Sequence, residues 1–273
     1  MASSDEVRKW HSDNREGWNE GAAAYEADLE ERIEFLRAGG QNFCPPELEF
    51  LTDLSSWCHR AIHLQCAGGT DTLSLWNRGA REVVGVDISD RMIEVARKKS
   101  TALQAPAQWF RSDILDTPVV LDGTADLVYT GRGALCWIMD LEAWAQVVVR
   151  LLKPGGKLYV YEGHPVSDMW TFEDKEYVLD PEYGDYFNER PIDSEGWPAT
   201  YIGDLGKPIE EHAMKHERMW RMDEIINTIL CSGLRLLKIK EHPDLFWNRF
   251  PNMDPVTVRR LPQTVSIWAE KPA

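Results

Sequence analysis

The stretch Gln65-Cys66-Ala67-Gly68-Gly69-Thr70-Asp71 stands at the end of an apolar run, Ala61–Cys66, and before residues patterned as a helix. Two adjacent glycines let backbone approach a ligand closely, with the free N–H groups of a helix start behind them. The same residues would also make a plain tight turn. Asp87 closes a second apolar run, Glu82–Asp87, 18 residues after Gly69. A carboxylate in that place can accept hydrogen bonds from both hydroxyls of a ribose, or it can simply cap the helix that follows. Taken together, the two features point to an adenosine-bearing ligand at the carboxyl ends of parallel strands.

The elements that must position these residues follow from periodicity. Residues 5–38 are helical in pattern, with Trp10, Asn14 and Trp18 on one face and Leu29, Ile33 and Leu36 on a later one; Gly39-Gly40 stops them. Pro45-Pro46 opens a second helix through Glu47–Leu54. Strand and helix then alternate. Strands are expected at Ala61–Cys66, Glu82–Asp87, Gln108–Arg111, Ala125–Tyr129 and Lys157–Glu162. Helices are expected at Thr72–Asn77, at Asp90–Ser100 with Ser89 as N-cap, and at Leu141–Leu152. After an aperiodic stretch, 164–219, a helix Asp223–Cys231 and two strands, Leu234–Lys240 and Thr264–Glu270, complete the chain. Such alternation predicts an α/β fold with a mostly parallel sheet covered by helices on both faces. Two successive strands after the last helix imply a reversed edge strand.

Two cofactor classes share a glycine turn and a strand-end carboxylate. A dinucleotide needs a GxGxxG turn to seat its pyrophosphate, and Gln65–Asp71 does not supply one. S-adenosyl-L-methionine (SAM) has no pyrophosphate and presents an amino-acid tail instead. A polar loop with Gln65, Thr70 and Asp71 suits an ammonium and a carboxylate better. At this point the chain resembles the class I SAM-dependent methyltransferases. Ile62–Leu73 looks like the first motif of that family, and Val84-Gly85-Val86-Asp87-Ile88-Ser89 is similar to the second. Arg111-Ser112-Asp113-Ile114 sits where relatives place an aspartate near the adenine amino group. Ala125–Thr130 resembles the fourth-strand motif, and Leu152–Leu158 the turn into the fifth. Family members usually carry an acidic residue where His63 stands and glycines where Gln65 and Ala67 stand. A similar Leu-Gln-Cys loop followed by Gly-x-Asp-Thr occurs in a subset acting on small molecules.

The resemblance implies a Rossmann-like sheet of seven strands, the last reversed, with an inserted lid. It implies SAM as cofactor, held by Gln65, Cys66, Ala67, Gly68, Gly69, Asp71, Thr72, Asp87, Ile88, Met92, Ser112, Asp113, Ile114, Thr130 and Gly131. Relatives fold a segment resembling Trp18-Asn19-x-x-Ala22-x-x-Tyr25 over the cofactor, which puts Trp18 and Tyr25 near the methionine tail, unless they are core aromatics. The expected units are 1–60, a helical segment and lid; 61–163, the SAM-binding core; 164–219, the substrate lid; and 220–273, the last helix and strands.

The acceptor should meet the ends of strands four and five. Trp137, His164, Trp170 and Tyr183 are the candidates there. His164 is the candidate for proton removal, since histidine titrates near neutrality, with a backbone-bonded loop histidine as the alternative. The stretch 164–219 carries 14 acidic and five basic residues with Trp170, Phe172, Tyr177, Tyr183, Tyr186, Phe187, Trp197 and Tyr201. Aromatics and carboxylates could enclose an amine, or form a satellite core with an acidic surface.

Composition narrows the rest. A net charge of −15 argues against nucleic acid as partner. No apolar run is long enough for a membrane span, and the polar N-terminus is not a signal peptide, so a cytoplasmic location is expected. The five cysteines are scattered and read as reduced thiols. Cys58, His59, His63 and Cys66 cluster in sequence, but His63 reads as a packed strand residue and Cys66 as the start of a loop, so no metal is expected. The expected function is methyl transfer from SAM to a small-molecule amine or hydroxyl. A SAM-binding sensor without turnover and a nicotinamide-dependent oxidoreductase stand as alternatives, and the oligomeric state is left open.

Overall fold

The computed structural model describes residues 3–173, 176–198 and 200–273. Within the insertion, Asp174, Lys175 and Ala199 lie outside the described residues, as do the side chains of Phe172 and Glu173. The strands are β1 Arg60–Leu64, β2 Glu82–Asp87, β3 Ala107–Arg111, β4 Ala125–Gly131, β5 Leu152–Gly163, β6 Trp170–Glu173, β7 Glu176–Leu179, β8 Ile192–Ser194, β9 Lys215–Glu217, β10 Arg235–His242 and β11 Thr264–Glu270. The helices are α1 Ser4–Ala27, α2 Leu29–Arg37, α3 Pro45–Leu48, α4 Thr70–Asn77, α5 Asp90–Leu103, α6 Leu141–Leu151, α7 Pro165–Asp168, α8 Met222–Cys231 and α9 Pro255–Val258.

Seven strands form one sheet in the order β3-β2-β1-β4-β5-β11-β10. The first five are parallel, and β11 runs antiparallel to both its neighbours. The last strand is therefore reversed, but it is not at the edge. It slots between β5 and β10, so that β10 takes the edge. Strand alternation sorts two cores. Ile62, Leu64, Val84, Val86, Val128 and Val160 face α6 and α8, where Trp144, Val148 and Ile229 meet them. Ala61, Val83, Leu127, Tyr129, Tyr159 and Tyr161 face the other way, toward Leu36 of α2 and Leu73 of α4. Gly85 has no room for a side chain: a Cβ there would lie 2.3 Å from the Trp109 ring and 2.7 Å from Cys66 Sγ.

Two expected helices are shorter than predicted. Residues 5–38 break at Asp28 into α1 and α2, which lets the two apolar faces turn in different directions. The second helix ends after one turn, and Glu47 within it is fully buried, accepting from Cys44 N (2.7 Å) as part of a capping box and from Tyr129 Oη (2.6 Å).

The aperiodic insertion contains two small hairpins, β6–β7 and β8–β9. The second is tied to α1. The Asn14 side chain exchanges hydrogen bonds with the backbone of His216 (2.8 and 2.7 Å), as a neighbouring strand would. The His216 ring lies between Asp13 (3.1 Å) and Asp193 (2.7 Å). Glu20 accepts from Lys207 (2.7 Å) and from Ala213 N (3.1 Å). Among the described residues no helix is long and apolar enough to cross a membrane. Replacing Gly85 by Ala is expected to destabilise the domain by about 1–3 kcal/mol through overpacking, read as a lower urea midpoint with an unchanged slope.

Candidate functional site

A cavity of about 1030 Å³ opens at the carboxyl ends of β1, β2, β4 and β5, under α1 and the insertion. One wall is the loop after β1. Its backbone is strained: Gln65 has φ +59° and Ala67 φ +43°, left-handed values that ordinarily favour glycine. Two positions that ordinarily favour glycine thus carry side chains here. Two contacts hold it. Gln65 Nε2 donates to Ala134 O (2.6 Å), and Ala67 N donates to Asp87 Oδ2 (2.8 Å). Gly69, at φ +76°, precedes α4, and a Cβ on it would meet Trp109 at 2.5 Å.

Asp87 ends β2 and also accepts from Ser89 N at Oδ1 (2.9 Å). Burial pushes its carboxyl up to about 6, against those backbone donors. Lys99 of α5 supports the loop from beneath. Its Nζ donates to Gly68 O and Thr70 Oγ1, both at 2.8 Å, and burial pushes it down to about 8. Asp71 accepts from Asn42 Nδ2 (2.7 Å) and pairs with Arg132 (2.8 Å), which also approaches Glu47 (3.4 Å). Asp113, after β3, is tied to α1 by His11 Nδ1 (2.8 Å) and Arg8 (3.0 Å). His11 Nε2 accepts Met139 N–H (3.1 Å), so the proton on Nδ1 faces Asp113. Burial works to raise the Asp113 carboxyl, but the His11 hydrogen bond and the Arg8 charge outweigh it and hold it below its ordinary value.

The opposite wall is built on the loop after β4. Glu162, near the end of β5, accepts three successive amides: Gly133 (2.8 Å), Ala134 (2.9 Å) and Leu135 (3.1 Å). Burial pushes its carboxyl up to about 7 despite them. Arg132 and Gly133, both at positive φ, form the concave turn that aims these amides. Trp137 projects from this loop and meets Trp18 edge-on at 5.3 Å; Trp18 in turn meets Trp197 at 4.8 Å. Tyr25 Oη lies 3.0 Å from Tyr201 Oη.

Of the expected site residues, Trp18, Tyr25, Gln65, Cys66, Ala67, Gly68, Gly69, Asp71, Asp87, Ile88, Asp113, Ile114, Gly131, Trp137 and Tyr183 line this cavity. Trp18 belongs to the aromatic wall rather than to the loop. The others are placed elsewhere. Thr72 points into the core and bonds His63 Nδ1 (2.9 Å), whose ring burial holds down to about 4. Met92 is packed behind the helix cap, Ser112 Oγ bonds Asp113 O (2.9 Å), and Thr130 is buried outside the cavity lining. Trp170 meets Tyr177 edge-on (6.1 Å) and does not line the cavity.

The expectation for His164 is corrected. It caps α7, with Nδ1 accepting Val166 N–H (3.2 Å) and Nε2 facing Glu241 (3.0 Å) on β10, so neither ring nitrogen faces the cavity. Glu162, two residues earlier, lines the cavity instead. Sequence reasoning missed the contacts that Arg132 and Glu162 make, and it gave no role to Lys99. Lys99 had a signal: it falls seven residues after Met92 on the apolar face of α5, where a charge needs partners.

Residues 61–156 match a family model described as a methyltransferase domain. This stretch, from β1 to the start of β5, is a methyltransferase domain. The YafE protein of Escherichia coli (strain K12) is 34% identical over 92 residues, 32% of this chain and 44% of that protein; the chain thus spans less than half the length of that relative. In fold, the chain is similar to an S-adenosylmethionine-dependent methyltransferase from Mesorhizobium loti (TM-score 0.55, 20% identity, 83% of this chain and 96% of that one). It is also similar to geranyl diphosphate C-methyltransferase from Streptomyces coelicolor, solved with S-adenosyl-L-homocysteine (TM-score 0.55, 18% identity, 83% and 78%).

Because Ala67 is held in a glycine conformation, Ala67→Gly is expected to leave stability unchanged or raise it by up to about 1 kcal/mol, whereas Gly69→Ala should lose more than about 1 kcal/mol. Urea unfolding of the two variants checks both signs.

Proposed function

We propose that this chain transfers the methyl group of SAM to the amine or hydroxyl group of a small molecule. The observation that carries this reading is a single cavity bordered by the Gly68–Gly69 loop, by Asp87 and by the aromatic wall around Trp137. The residues fit the cofactor. Each Asp87 oxygen accepts one backbone amide and retains a lone pair for one ribose hydroxyl. Gln65 Oε1 is buried without a hydrogen-bond partner, an acceptor available to an ammonium. Gly68, Gly69 and Asp71 would border the amino-acid tail; Ile88, Asp113 and Ile114 would border the adenine.

When bound, SAM supplies a sulfonium methyl already activated for transfer. The protein's part is to orient the acceptor's lone pair and to keep water out. The rings of Trp18, Trp137 and Trp197 serve the first, and the roof of α1 and insertion the second. The net charge of −15 and the roofed site favour a small molecule over nucleic acid. A cytoplasmic location, suited to five unpaired cysteines, belongs to the same proposal.

Asp87→Ala is expected to weaken SAM binding by about 1–3 kcal/mol, measured by calorimetric titration. Since the free carboxyl sits at about 6 and ribose hydroxyls favour its ionised form, wild-type affinity should rise with pH through that value and then level off. The variant should lack this step. Tight NADH binding with no SAM binding would overturn the proposal in favour of a nicotinamide enzyme. Failure of co-purified metabolites to yield demethylated cofactor would favour a sensor.

A further inference from the structure

Most water-shielded charges on the cavity walls have close partners, but Glu217 lacks a close ionic one. The Glu162 carboxylate is filled by three amides. Asp168 pairs with Arg249. The cations are committed as well: Lys215 Nζ donates to Gly196 O and lies 4.8 Å from the Trp197 ring centre, while Arg218 serves Asn188 O (2.9 Å) and Glu224 (3.3 Å). Glu217, on β9, has only neutral hydroxyls as close partners; the Lys215 charge, farther than 4.0 Å away, works to lower its carboxyl, but burial outweighs it. Ser194 Oγ lies 3.4 Å from it and Tyr183 lies beside it. Among the described residues, no cationic side chain comes within 4.0 Å of its carboxylate. The residue lines the same cavity as Trp137, Trp197 and Tyr183.

We propose that Glu217 anchors the acceptor and that the acceptor carries a cationic amino group, enclosed by Trp137, Trp197 and Tyr183. The inference rests on the methyltransferase reading and narrows it. An ionised carboxylate drawn out of water is costly unless a counter-charge joins it, and a ligand ammonium supplies that charge. Burial already holds the Glu217 carboxyl above its ordinary value, a cost that a cation beside it reverses. The Trp137 ring, which holds no cation of the protein, adds attraction for the same charge. A neutral alcohol of equal shape gains neither term.

The test uses the whole chain saturated with S-adenosyl-L-homocysteine. Benzylamine, 2-phenylethylamine and tryptamine are titrated beside their isosteres benzyl alcohol, 2-phenylethanol and tryptophol. At least one amine is expected to bind about tenfold tighter than its alcohol. Glu217→Gln should remove that preference and leave the alcohol and S-adenosyl-L-homocysteine affinities unchanged. Glu217→Asp, which keeps the charge, should restore part of it. Absence of an amine preference in the wild type, or its persistence in Glu217→Gln, overturns the assignment. Loss of S-adenosyl-L-homocysteine binding by the wild type itself would instead overturn the methyltransferase reading, and this inference with it.

Discussion

The Glu162 carboxylate is the point on which the site's geometry turns. It gathers the amides of Gly133, Ala134 and Leu135 into one cradle, a device proteins ordinarily use for a bound anion. Here the anion belongs to the chain. Because the loop after β4 is fixed in this way, Ala134 O is available to Gln65 Nε2, and Trp137 is aimed at Trp18. A single buried group at the end of β5 therefore sets both walls of the cavity. Its desolvation is costly, and three amide donors offset much of that cost.

The loop after β1 depends on the same arrangement. Gln65 and Ala67 occupy left-handed backbone, at a cost of about 1–2 kcal/mol each for a residue with a Cβ. Such strain persists where surrounding contacts over-determine it. Those contacts are the Ala134 carbonyl on one side and the Asp87 carboxylate on the other. Lys99 holds Gly68 and Thr70 from below. At Gln65 the side chain replaces the freedom of glycine with a hydrogen bond that glycine could not make, whereas the Ala67 bond is made by backbone.

The sheet and the loop wall were legible because both are local in sequence. Alternating apolar runs mark β1 to β5, and Glu82–Asp87 appears with its expected bounds. Asp87 and the Gly68–Gly69 turn follow from strand ends and spacing. What escaped depends on contacts distant in the chain. His164 looked available because it falls just past the fifth strand; only the arrival of Glu241, 77 residues later, occupies its ring. Glu47 lies in an expected helix, and its burial depends on Arg132 and Tyr129, far along the chain. The reversed strand was predicted, but its place between β5 and β10 depends on pairing, and periodicity carries no information about which neighbour a strand selects.

The roof is made of pieces from opposite ends of the chain. Asn14 pairs with His216 as a strand would, and Glu20 holds Lys207 and Ala213. The first helix therefore acts as a missing strand for the β8–β9 hairpin, and neither piece has its inner surface complete alone. This couples the two in evolution. A change of acceptor that reshapes the insertion must be matched on the face of α1, so the two segments are expected to be inherited together. Grafting the insertion onto a related core would carry its specificity only if the first helix travelled with it.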